Sequence, residues 1–290
     1  MVFNGSIKPT SEEAQAVRDL LADINTLGYV PVPEGEPKLT DPLLLLRFVR
    51  GYANEKDARA KTFDAYCAML AYRAEHDIDS KRAELIEAGN GVPVWPASMP
   101  RFKPLVDCIG MGTGLQLGAT CDGMRAVGML IHLWDLSKVI KAGLADMLLD
   151  LHHYGDEYWS CMLHAASLGA GHMVGQVTIV HVGHMSPFQF GPSALRLLPQ
   201  VMSGSKHYPE SVARICCVGN SKAALTLYKN VVLPFVPKHT CEKLCILGRE
   251  ERHGCCVELP GVCSKAGERL ASVCCVCGHQ TADAAAKDAT

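Results

Sequence analysis

Short strand-like segments alternate with helical segments through the second half of the chain, and this alternation restricts the available folds more than any other feature. The strand-like segments cover residues 126–133, 174–182, 213–219 and 243–247. Apolar residues at helical spacing fill segments between them, at 144–168, near 192–204 and at 221–235. Strands separated by helices predict the α/β class, with a mostly parallel sheet and helices packed on its faces.

The amino-terminal residues show a different pattern, in which three helices follow one another. Thr10 and Glu13 are spaced as a capping box ahead of the first helix. Asp41 and Pro42 predict the start of a second, because aspartate caps free N–H groups and proline suits the first turn. A third is expected over about 55–76. The predicted organisation is a helical lobe at 1–80, an α/β lobe at 90–250 and a partly disordered, cysteine-rich tail at 251–290.

Composition excludes some partners. The 28 basic and 30 acidic residues give a formal charge of −2, which offers no attraction to nucleic acid. No segment has the roughly 18 uninterrupted apolar residues of a spanning helix, since Arg47 and Arg50 interrupt "PLLLLRFV". The amino terminus lacks the pattern of a secretory signal, so we expect a cytoplasmic protein with its 14 cysteines reduced. We also expect a monomer.

Several patterns suggest chemistry without completing a site. The glycine-rich segment 110–118 follows the strand-like "PLVDCI" and resembles a dinucleotide fingerprint, but turn-like residues come after it. His181 with His184, and the Cys274-x-x-Cys277 pair, each supply two metal ligands where zinc needs four. The adjacent Cys216 and Cys217 lie mid-strand, so we expect the two thiols to alternate across the strand and to fill space on its two sides. We therefore predict no catalytic residue, no metal and no cofactor.

Two blocks in the sequence carry a resemblance to a known family. "DPLLLLRFVRGYANEKDARAKTFDAYCAMLAYRAEHDID" resembles the helical lobe of the CRAL-TRIO lipid-binding proteins, and "HYPESVARICCVGN" with the residues up to Gly248 resembles their most diagnostic block. The matching residues of the first block are Leu45, Leu46, Arg47, Phe48, Arg50, Arg73, Ile78 and Asp79. Those of the second are Tyr208, Pro209, Glu210, Asn220, Pro234, Phe235, Lys243 and Gly248.

The resemblance implies a five-stranded, mostly parallel sheet whose covering helices enclose an apolar lipid cavity. It implies a protein that is not an enzyme and that carries one phospholipid or other hydrophobic ligand, docking transiently on membranes from the cytoplasm. Head-group contacts would come from Glu210, Thr240 and Lys243. A helix at 221–235 would gate the cavity through the residues Ala224, Leu225, Tyr228, Val231, Val232 and Phe235.

Departures from the family pattern leave the ligand open. Ser211 replaces an arginine, and Tyr52 and Ala53 replace a basic pair, so phosphatidylinositol is a candidate rather than an assignment. Two other classes also stay open: a nicotinamide-dependent oxidoreductase that uses segment 110–118, and an interaction module that holds no ligand.

Overall fold

The structure is a computed structural model. It describes residues 7–109, 115–119, 123–131, 134–183, 191–201, 203–219 and 243–247, with the single positions 226 and 230.

Four helices form the amino-terminal part of the fold, called the helical lobe below. They are α1 (Ser11–Asn25), α2 (Pro42–Tyr52), α3 (Ala58–Glu75) and α4 (Ile78–Ala88). Both bonds of the predicted capping box are present at the start of α1, and Asp41 accepts from two N–H groups at the start of α2. The apolar faces of α1, α2 and α3 meet in one core, which contains Leu20, Ile24, Leu45, Phe48, Tyr66 and Met69.

The α/β part is built on a five-stranded sheet in the order β1–β2–β3–β4–β5. The strands are β1 (Leu115–Ala119), β2 (Arg125–Met129), β3 (Gln176–Gly183), β4 (Val212–Gly219) and β5 (Leu244–Leu247). Only the β1–β2 pair is antiparallel, so the predicted mostly parallel sheet is confirmed. The accompanying helices are α5 (Lys103–Ile109), α6 (Leu136–Lys141), α7 (Ala145–Ala170) and α8 (Pro192–Val201).

The sequence prediction fails at three elements. The segment "PLVDCI", judged strand-like, belongs to helix α5. Strand β1 lies in the glycine-rich segment and pairs antiparallel with β2, whereas a dinucleotide fingerprint needs a strand–turn–helix unit. Helix α4 was missed because its buried face, which contains Ile78, Leu85 and Ile86, is interrupted by a buried arginine, Arg82.

The two faces of the sheet bury different sets of side chains. Cys217 belongs to the large core that the strands form with α5, α6, α7 and α8. Cys216 belongs to a second cluster, made with Leu117, Met124, Ala126, Val177 and Ile179. The prediction that the two adjacent thiols alternate across a buried strand is therefore confirmed. Both are almost fully buried, as space-filling thiols are.

No helix in the described ranges has both the length and the hydropathy that crossing a membrane requires.

Candidate functional site

A tight turn at Tyr208–Glu210 joins a short 3-10 helix to β4 and lies against the helical lobe. Glu210 has a φ of +53°, a left-handed conformation that is uncommon for a residue other than glycine. Pro209 packs on Gly51 of α2 so closely that a Cβ there would lie 2.8 Å from the Pro209 Cβ. The turn therefore holds Glu210 in a fixed position at the lobe junction.

The side chain of Glu210 forms an ion pair with Lys243. The Lys243 Nζ lies 3.1 Å from the Glu210 Oε1, and it also donates to the Val212 carbonyl at 2.9 Å. Each side chain keeps 22% of its surface exposed. Parallel pairing of β4 with β5 brings these two residues together although they are 33 positions apart. The site thus presents one anion and one cation that solvent can reach.

Arg47 holds the same turn from the helical lobe. Its Nη1 donates to the Glu210 carbonyl at 2.7 Å, while its Nη2 donates to the Ser167 Oγ at 3.0 Å and the Val174 carbonyl at 2.9 Å. Burial, with a contribution from Arg50 and against the attraction of Glu210, lowers the pKa of the guanidinium to about 10. Arg47 is therefore still a cation at neutral pH, and it links α2 to α7 and to the turn.

A second charged cluster, fully enclosed, lies under the turn and centres on Glu157 of α7. Arg73 donates to both Glu157 oxygens, at 2.8 and 3.2 Å, and Arg82 donates to one at 3.3 Å. The Tyr208 hydroxyl donates to the same carboxylate at 2.9 Å. Burial alone would raise the pKa of Glu157, but the two arginines outweigh it and hold the pKa below its ordinary value.

The structure brings some predicted residues together and leaves others untested. Glu210 and Lys243 meet as described. Arg73 and Asp79, matched only as a family pattern, form an ion pair beside Glu157. Thr240 lies outside the described residues. So do the predicted gate residues Ala224, Leu225, Tyr228, Val231, Val232 and Phe235.

Sequence reasoning missed the enclosed cluster although the sequence carried a signal for it. Glu157 lies in α7 within a stripe that includes Tyr154, Tyr158 and Cys161, all buried. Charged side chains are almost never fully buried unless they are paired, so a lone acid in such a stripe predicts a buried cationic partner. The same reasoning applies to Arg47 within "PLLLLRFV".

Ser211, one of the departures from the family pattern, has a local role. Its hydroxyl donates to the Tyr208 carbonyl at 2.7 Å and closes the turn on itself. Tyr52 and Ala53 lie at the end of α2, where Tyr52 is the last helical residue and Ala53 the cap.

The described residues contain no group of three or more histidine, cysteine or acidic side chains arranged to hold a metal ion. His181 is buried in β3, while His184, Cys274 and Cys277 lie outside the described residues.

Comparison with solved structures finds a clear likeness to Sfh5, known from its crystal structure. The superposition covers 93% of this chain and 99% of Sfh5 with a TM-score of 0.58, at 12% sequence identity. The chain has a CRAL-TRIO-like fold. No protein-family model matches the chain. No curated protein matches it either.

Proposed function

We propose that this protein holds one phospholipid or other hydrophobic molecule in an internal cavity and exchanges it at membrane surfaces. The proposal is carried by the Glu210–Lys243 pair, which offers an anion and a cation to solvent at the lobe junction of a CRAL-TRIO-like fold. A lysine suits a phosphate, and a carboxylate accepts hydrogen bonds from hydroxyl groups, so the pair fits a phosphorylated polyol head group. Phosphatidylinositol is the candidate lipid.

The apolar second face of the sheet supports the proposal. Its cluster takes members only from the strands and from Met124, within the part of the chain that the structure describes. Its side chains are aliphatic or sulfur-containing and uncharged, as the wall of an acyl-chain cavity would be. The cavity itself and its gate at 221–235 stay predictions.

Exchange at a membrane follows from the energetics of lipids in water. Exposing each methylene costs about 0.8 kcal/mol, so two long acyl chains resist release by on the order of 20 kcal/mol. A carrier therefore has to dock on a bilayer, open and replace one lipid with another. Such docking is transient and peripheral, and it needs no spanning helix.

Extraction of the purified chain with organic solvent, followed by mass spectrometry, tests the proposal directly. We expect one lipid per chain. A bound nucleotide would instead favour the oxidoreductase, and an empty protein that also fails to transfer any lipid between vesicles would favour the interaction module.

A substitution tests the head-group contact. Lys243→Ala should weaken phospholipid binding by roughly 1.5–3 kcal/mol, the size of a hydrogen bond to a charged group, which is on the order of tenfold to a hundredfold in affinity. Lys103→Ala is the matched control, because Lys103 also pairs with a carboxylate, Asp107, but on the exposed face of α5. Unchanged transfer of every phospholipid by the Lys243 variant would refute the contact.

A further inference from the structure

Three histidines from three elements meet around one tyrosine where the helical lobe contacts the turn. Tyr72 of α3 stacks on His207 with ring centroids 4.4 Å apart and contacts His76 edge-on at 4.7 Å. His76 in turn stacks on His153 of α7 at 4.4 Å. His153 also contacts the Tyr72 ring, at 5.7 Å. The group, called the histidine joint below, thus connects α3, α7 and the 3-10 helix Gly204–His207.

The charges around His153 and His207 do not compensate imidazolium ions at these two positions. Lys81 and Lys206 add positive charge near His153 and His207. Asp150 and Glu75 approach only to 4.0 Å from His153 and His76, and Glu75 is largely exposed. The Nδ1 of His153 makes no hydrogen bond within the described part of the chain. The arrangement suits neutral rings.

The joint is tied directly to the turn that carries the candidate site. Gly204 begins the 3-10 helix, and a Cβ at this position would collide with the Asp156 carboxylate and lie 2.6 Å from the Tyr72 Oη. His207 is followed at once by Tyr208 and Pro209. Separation of His207 from Tyr72 would therefore pull on the Tyr208–Glu157 bond and on the packing of Pro209 against Gly51.

We propose that the histidine joint is an acid-sensitive contact that releases the 204–210 segment from the helical lobe when His153 and His207 become protonated. The proposal rests on the joint's own geometry and does not depend on lipid binding. If the chain does carry a lipid, the same opening would displace Glu210 and weaken the head-group site.

The direction of the pH effect follows from proton uptake. Burial lowers the pKa of His153 and of His207 from 6.5 to about 4, with nearby His76 and the lysines acting the same way. The closed joint thus binds fewer protons than the open one, and its stability is lost as the pH falls from 6.5 towards 4. Asp156 has the opposite effect on the stability of the closed joint, because burial and Glu157 raise its pKa from 3.8 to about 7. The stability lost through the two histidines exceeds the stability gained through this one carboxyl group, so the closed joint is weaker at pH 5 than at pH 7.

Amide hydrogen exchange of the full chain at pH 7 and pH 5, corrected for intrinsic rates, tests the proposal. We expect protection of the amides at 204–212 to fall on the order of tenfold at pH 5, relative to the amides of β3. Asp156→Asn removes the opposing group, and should enlarge the fall to on the order of a hundredfold or more.

The double variant His153→Gln with His207→Gln should no longer lose amide protection at 204–212 at pH 5. Because Asp156 is retained, its protection there should be higher at pH 5 than at pH 7. His172→Gln, at a partly exposed histidine elsewhere, should behave as the wild type. Equal protection of 204–212 at both pH values in the wild type, an equal loss throughout β3, or a wild-type fall in the double variant would each overturn the proposal. Asp156→Asn decides the matter if the double variant does not fold.

Discussion

Two glutamates at the lobe junction, Glu157 and Glu210, differ in how far they are buried and in which side chains they pair with. Glu157 is fully buried and bonded to Arg73, Arg82 and Tyr208, whereas Glu210 keeps 22% of its side chain exposed and pairs with one lysine. Because Glu157 is enclosed, water cannot solvate its charge, so the carboxylate has to be paired with the two arginines. Partial exposure leaves the second pair in contact with solvent.

The largest expected effect comes from breaking the enclosed cluster. Glu157→Gln removes the counter-ion of buried Arg82 and leaves buried Arg73 with Asp79 alone, and it should cost about 3–5 kcal/mol of the free energy of unfolding. Urea denaturation at neutral pH measures it. Glu210→Gln, at the exposed glutamate, should cost under about 1 kcal/mol. Similar losses in both variants would contradict the distinction between the two sites.

Arg47→Lys should have the next largest effect, about 2–3 kcal/mol of unfolding free energy. A lysine cannot serve the Glu210 carbonyl, the Ser167 hydroxyl and the Val174 carbonyl at once, so at least one buried acceptor loses its donor. The matched change Arg59→Lys affects an exposed ion pair with Asp23 and should leave the free energy of unfolding unchanged within error. Thermal and urea unfolding of both variants provide the test.

Tyr208→Phe removes one donor from Glu157 while both arginines stay. We expect a loss of about 1.5 kcal/mol, at the lower end for a hydrogen bond to a charged group. Tyr66→Phe is the control, since the Tyr66 hydroxyl is also buried but donates to a neutral acceptor, the Leu39 carbonyl, and should cost about 1 kcal/mol or less. A larger loss of unfolding free energy in Tyr66→Phe than in Tyr208→Phe would show that the hydrogen bond to the Glu157 carboxylate is not the stronger of the two.

Lys243→Ala should change stability least, by less than about 1 kcal/mol, and the difference should shrink in high salt. Its effect on phospholipid binding should be larger than its effect on folding. A Lys243→Ala protein that is strongly destabilised but binds phospholipid like the wild type would show that the Glu210–Lys243 pair serves the fold and not the ligand.

Much of the fold could be predicted because its determinants are local. The capping box at Thr10, the Asp41–Pro42 helix start and the β-branched strand at 174–182 each depend on neighbours within a few positions. Helix α4 could not be found in this way, because Arg82 contributes to its buried face only when Glu157 and the Pro37 carbonyl are present to accept from it.

The candidate site was predictable only through its resemblance to a family, which pointed to Glu210 and Lys243 before any distance was known. Nothing local connects these two residues. Their 3.1 Å contact exists because parallel pairing places β5 beside β4.

The sequence by itself determined the α/β class, the helical lobe and the burial of Cys216 and Cys217, because hydrophobic periodicity and capping act over a few residues. Tertiary structure alone decided which charges are enclosed and which face solvent. Glu157 and Glu210 are the same residue type, and only the packing of α3, α4 and α7 around the first separates an enclosed carboxylate from one that solvent can reach.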